Sequence, residues 1–137
     1  MANLSKSKYI TYCQCPKALW LKQYKSEEMV IDPLTQARFD AGTEVGELAK
    51  RLFGDFVEVT VYKTAADEIQ RLDLGAMAAA TQKALAEGAE NIAEAAFIYD
   101  GCYCAVDLLH KTPHGYAIYE VKSSTDLKEL EVYAQDV

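Results

Sequence analysis

An aspartate, Asp107, is followed thirteen residues later by Glu120-Val121-Lys122, and both ends of this spacing sit in apolar, strand-like runs. Residues 103–109 and 116–122 carry the β-branched and aromatic content of strands, and Lys111-Thr112-Pro113-His114-Gly115 between them supplies turn chemistry. The segment is therefore predicted to be a hairpin. Because strand side chains alternate between faces, Glu120 and Lys122 point the same way, opposite to Tyr119 and Val121. A carboxylate and an ammonium on a buried strand are costly unless paired or bound to a metal. Phosphodiester hydrolysis needs such a set. Asp107 and Glu120 would be hard oxygen ligands for Mg²⁺ or Mn²⁺, and Lys122 would orient the attacking water or stabilise charge on the phosphate. A solvated ion pair on an edge hairpin is the other reading of the same residues.

At 137 residues, half of them hydrophobic, the chain is long enough for one globular domain over 1–137. It contains no apolar run of about 18 residues, and its start lacks a signal-peptide hydrophobic segment, which predicts a cytoplasmic protein without a membrane span. Its four cysteines are then expected to be reduced or metal-bound. The net charge of −7 runs against nucleic-acid binding, but it is unevenly spread. Residues 1–25 hold Lys6, Lys8, Lys17, Lys22 and Lys25 and no acidic residue. This basic helical lead-in, with Lys6, Lys8 and Lys17 foremost, is a candidate phosphate-contacting patch; a lysine-rich face of an amphipathic helix is the alternative.

The coarse order is helix, helix, strand, helix, three strands, helix. Residues 5–24 form the helical lead-in. Asp32 as N-cap and Pro33 in the first turn start a helix in which Ala41, Val45, Leu48, Ala49 and Leu52 recur at helical spacing up to Gly54, predicting an apolar core-facing stripe. Residues 56–62 alternate as a strand, and Thr64 or Asp67 opens a helical region to about residue 89. A strand over 93–99 turns at Asp100-Gly101 into the hairpin, and 124–137 reads as a last helix.

The array Glu94-Ala-Ala-Phe-Ile-Tyr-Asp-Gly, then Ala105-Val106-Asp107-Leu108-Leu109, then Ile118-Tyr119-Glu120-Val121-Lys122-Ser123-Ser124-Thr125 resembles the PD-(D/E)XK nuclease superfamily. The RecB-type branch fits best. Cys15-Pro16-Lys17-Ala18-Leu19-Trp20-Leu21 and Gly42-Thr43-Glu44-Val45-Gly46-Glu47-Leu48-Ala49 are similar to the CRISPR-associated adaptation nucleases within it. The resemblance implies an α/β (α+β) fold with a restriction-endonuclease-like core: a central mixed sheet with an antiparallel catalytic meander, flanked by helices. It implies a Mg²⁺- or Mn²⁺-dependent deoxyribonuclease of DNA repair or defence, with DNA as partner and Asp107, Glu120 and Lys122 catalytic. The alternative is a catalytically incomplete module that binds nucleic acid or protein.

In the family a helix before the sheet adds a Glu or His to the metal shell. Gly46 stands where many relatives carry His, so Glu47 or Glu44 takes that role, and Glu47, on the polar side of the helix, is preferred. Glu94, at the start of the first catalytic strand, could reach the metal, but it reads first as an exposed strand-end residue. Cys15 matches an iron–sulfur ligand position of the CRISPR-associated enzymes, whose other three ligands follow the catalytic helix, so a cluster is expected only in a longer chain. Zinc held by Cys13, Cys15, Cys102 and Cys104 departs from the usual two-residue spacing, and Cys102 and Cys104 are expected in the core. Trp20 is expected to anchor the lead-in to the core, and His110 and His114 to be solvated beside the turn. Tyr133 and Gln135 have the wrong order and spacing for the family's substrate-positioning pair, so the chain reads as the amino-terminal part of a longer product, truncated at its C-terminal end.

Overall fold

A computed structural model describes residues 4–64, 70–124 and 134. The chain opens with β1 (Leu4–Ser5), α1 (Lys6–Gln14) and α2 (Pro16–Tyr24), then a 3-10 turn over Ser26–Glu28 and the long α3 (Pro33–Ala49). Short strands β2 (Val57–Glu58), β3 (Tyr62–Thr64) and β4 (Gln70–Leu72) precede α4 (Leu74–Ala86), and β5 (Asn91–Tyr99), β6 (Cys102–Thr112) and β7 (Gly115–Tyr119) follow. The fold is mixed α/β with a mixed sheet. Among the described residues no helix is long and apolar enough to cross a membrane.

The sheet is organised by β6. On one side it pairs antiparallel with β5 along nearly its whole length, from Tyr99↔Cys102 to Asn91↔His110, and β2 adds to β5 in parallel. On its other side two strands share one edge end to end: β1 pairs parallel at Cys102 and Tyr103, and β7 pairs antiparallel from Leu108 to Thr112. Asp100 and Gly101, both at positive φ (45° and 74°), make the β5–β6 turn, the combination that matches the twist of a tight hairpin. The core is Val59, Ala84, Ile92, Ala95, Val106 and Leu109, where α4 packs on the sheet.

Three local differences from the sequence reading have physical causes. The strand expected over 56–62 breaks after Glu58, and residues 62–64 pair with 70–72 as a separate antiparallel ribbon, so the next helix starts at Leu74. Its cap is Asp73, which accepts a hydrogen bond from the Ala76 amide at 3.1 Å, while Thr64 closes β3 and Asp67 lies outside the described residues. Helix α3 starts as read, with Asp32 Oδ1 accepting from the Leu34 and Thr35 amides at 2.9 and 3.0 Å, but it buries no residue. Its glycines face inward and Leu48 remains 75% exposed, because this helix borders a polar cleft rather than the core. Trp20 is also exposed, its ring tilted against Tyr24 with centroids 5.6 Å apart on a helix that buries nothing. The helix read over 124–137 lies outside the described residues apart from Ser124 and Ala134.

Candidate active site

Strand register brings three acids together. The pairs Ala93↔Leu108 and Ala95↔Val106 bracket Glu94 opposite Asp107, and Leu108↔Tyr119 on the other edge puts the next residue, Glu120, alongside Asp107. In register these three residues lie side by side across β5, β6 and the end of β7, and of them Glu94 and Asp107 line the same cleft. The Val121 amide donates to Asp107 Oδ2 at 2.7 Å, which fixes that side chain against the chain leaving β7.

Glu94 sits inside β5, not at its end, with φ of 59°, a left-handed conformation that costs a non-glycine residue on the order of 1–3 kcal/mol. Neighbouring groups hold it there. Two residues on, the Ala96 amide donates to Thr81 Oγ1 at 2.8 Å, and the buried Thr81 hydroxyl donates to the Met77 carbonyl at 3.0 Å, so α4 grips the strand beside the distortion. Backbone strain kept by its surroundings is concentrated at functional sites in general.

Glu94, Asp107 and Lys122 line one wall of a cleft of about 730 Å³, and Arg38 and Glu47 from α3, with Lys50 at its C-cap, stand opposite. At Gly42 the helix runs close to the chain leaving β7, since a Cβ there would make an ordinary 3.8 Å contact with the Ser123 hydroxyl. Lys50 donates to Glu47 and to Glu58, both at 2.8 Å. Burial works against the charge on Lys50, but these two carboxylates outweigh it and raise its pKa above the ordinary lysine value. Burial likewise opposes the charge of Glu58, and Lys50 together with the Thr60 hydroxyl and amide wins, lowering its pKa. Glu94 goes the other way. Burial, then the nearby Asp107, push its pKa up, with Lys50 only partly offsetting them.

Glu120 is 10% exposed and has both oxygens engaged, Oε2 by Lys6 at 2.8 Å and Oε1 by Lys122 at 2.7 Å. The strand expected through Lys122 ends at Tyr119, so Glu120 and Lys122 follow β7 instead of sharing a strand face, and their contact is made by the chain leaving the sheet. Of the basic patch, Lys6 thus lies at the site, while Lys8 sits half-buried on α1 and Lys17 is exposed on α2. Glu47 reaches the cleft and Glu44, exposed on α3, is not among its lining residues.

Other residues take structural places. His110 is not solvated: its Nδ1 lies 2.7 Å from Asn91 Oδ1, and its ring stacks on Phe53 with centroids 3.9 Å apart. Asn91 in turn donates to the Phe53 and Asp55 carbonyls, so the group locks the chain after α3 onto β5. His114 is exposed in the turn. Cys102 and Cys104 are not in the core either; they line a groove of about 420 Å³ with Tyr9, Phe97 and Tyr99, since β1 and α1 cover this end of the sheet only partly. Cys13 and Cys15 are exposed, and all four thiols are free. Sequence reading underrated Glu94 and missed Lys50, Glu58 and Arg38. The glutamate's register opposite Asp107 was the available signal, whereas helix-facing lysines carry none.

The donor set suits a hard divalent ion. Glu94 and Asp107 bring carboxylates to the wall of one cleft, and the raised proton affinity of Glu94 reflects its burial first and the Asp107 charge after it. Among the described residues no three His, Cys, Asp or Glu side chains already converge on a single point, the Glu47 and Glu120 carboxylates being turned to lysines. Neither protein-family models, nor curated proteins, nor solved structures give a match to this chain.

Proposed function

We propose that this protein is a metal-dependent phosphodiester hydrolase acting on DNA, with a RecB-type nuclease site on a restriction-endonuclease-like core. The observation that carries the reading is that Glu94, Asp107 and Lys122 line one cleft with Glu47, while strand register sets Glu120 next to Asp107. Asp107, Glu120 and Glu47, joined by Glu94, would hold Mg²⁺ or Mn²⁺, which supplies an acidified water and neutralises charge on the phosphate. Lys122 orients the nucleophile and donates to a phosphate oxygen. Arg38 and Lys50 add positive charge on the α3 side, and Lys6, Lys8 and Lys17 extend it for the nucleic-acid backbone. Cys15 has no assigned part in this reaction.

A second reading, a nuclease-like module that binds nucleic acid or protein without cutting, is favoured by the lysines already satisfying Glu47 and Glu120. Digestion of plasmid and oligonucleotide DNA in Mn²⁺ separates the two. Cleavage by the wild type is expected to disappear in Asp107→Ala and to fall about 100-fold or more in Lys122→Ala, the scale of losing a positioned proton-transfer group. Equal cleavage by all three proteins would refute the hydrolase.

A further inference from the structure

We propose that Lys6 is a built-in counter-cation for Glu120 and competes with a divalent ion for that carboxylate. The proposal rests on the reading of the site given above and concerns how that site is kept without metal.

Topology makes the pair. On the shared edge of β6, β1 runs parallel and ends at Ser5 opposite Tyr103, while β7 runs antiparallel and ends at Tyr119 opposite Leu108. The two strands therefore run toward each other, and the next residue of each, Lys6 and Glu120, meets the other in the gap beside residues 104–107. Both approaches are fixed. Leu4 donates its amide to the Gly101 carbonyl at 3.2 Å, Ser5 Oγ accepts from the Lys8 amide at 3.2 Å to cap α1, and Asp107 holds the Val121 amide. Lys6 is thus delivered to Glu120 by a strand end and a helix cap, across 114 residues of sequence.

The chemistry follows from burial. A carboxylate as enclosed as Glu120 is unfavourable unless its charge is matched, and Lys6 and Lys122 take one oxygen each at 2.8 and 2.7 Å. A divalent ion that uses Glu120 either displaces one ammonium or sits beside both against their charge, so each lysine opposes it. Lys122 is tethered two residues away and lines the cleft with Asp107, so it stays beside the reacting centre whichever oxygen the ion takes. Lys6 belongs to a separate element and its side chain is 27% exposed, so a phosphate of the substrate is an alternative partner for it. Metal and nucleic acid would then favour one another's binding, since each removes Lys6 from the other's way.

The test is Mn²⁺ titration of the full chain by calorimetry, without nucleic acid, comparing wild type, Lys6→Gln, Lys6→Arg, Glu120→Gln, Asp107→Asn and the Lys6→Gln, Glu120→Gln double variant. Lys6→Gln is expected to bind Mn²⁺ about 5-fold or more tightly, Lys6→Arg to behave like wild type, and the double variant to match Glu120→Gln alone. Circular dichroism checks folding, and Lys6→Met serves if the glutamine variant does not fold. Unchanged or weaker binding by Lys6→Gln, with Glu120→Gln still weakening the ion, would overturn the counter-cation role and leave the metal site standing. Mn²⁺ binding indifferent to Glu120→Gln and to Asp107→Asn would remove the site, and this inference with it.

Discussion

Glu94 combines a left-handed backbone, partial burial and an acid neighbour, three disadvantages that no requirement of the sheet explains. Its pKa in the folded chain is raised above the ordinary 4.5 by burial and then by Asp107. A carboxyl shifted upward contributes stability that is fully present below its unfolded value and is lost as pH rises through the folded one. Near neutral pH the ionised side chain is therefore a net burden. Glu94→Gln keeps the shape and removes the charge, so urea unfolding should find this variant more stable than wild type at about pH 7, with the advantage fading toward about pH 4. An advantage of the same size at both pH values would show that ionisation of Glu94 is not what the fold opposes. The same variant should bind Mn²⁺ more weakly, the pattern of a residue kept for its site rather than for the sheet.

At the scale of elements, the contact between α4 and β5 holds Glu94 in place. Thr81 is fully buried, and its hydroxyl both receives the Ala96 amide and donates to Met77. Thr81→Val conserves the volume and leaves that amide without a partner, for which a loss of about 1–3 kcal/mol is expected in urea unfolding. Thr81→Ser, which keeps the hydroxyl, should recover part of it, and equal losses in both variants would point to packing alone. This coupling was not legible in the sequence. The hairpins were, because period-two alternation with Asp100-Gly101 and Pro113-His114-Gly115 leaves few other pairings, and so was the start of α3, because an Asp-Pro start has one meaning. The apolar stripe of α3 misled: helical spacing says which residues share a face, not which face meets the core, and here glycines made the inward one. The ribbon of β3 and β4 was hidden by its shortness, three residues a side being too few to show a period. His110 looked like a turn residue until the length of β6 carried it back into the sheet, to Asn91 and Phe53.

In the whole molecule, burial is concentrated where α4 meets β5 and β6, whereas α1, α2 and α3 bury no residue of their own. The cleft thus has one wall built on the core and another, α3, joined to it through Lys50, Glu47 and Glu58. With a net charge of −7, adding a divalent ion to the acid row lowers repulsion and gives Glu47 a reason to leave Lys50 and bridge to the sheet. An ion that binds the folded chain alone stabilises it by about 2.7 kcal/mol at a hundred times its dissociation constant, which for a domain of this size is a rise of roughly 10 °C in Tm. Mn²⁺ is expected to raise the wild-type midpoint in this saturating way, with slowed amide exchange in α3, and Asp107→Asn to abolish both effects. A rise without a change in α3 would confine the ion to the sheet acids and exclude Glu47 from the shell. No rise in millimolar Mn²⁺ would leave the lysines as the permanent partners of these carboxylates, and the cleft would then be a binding surface.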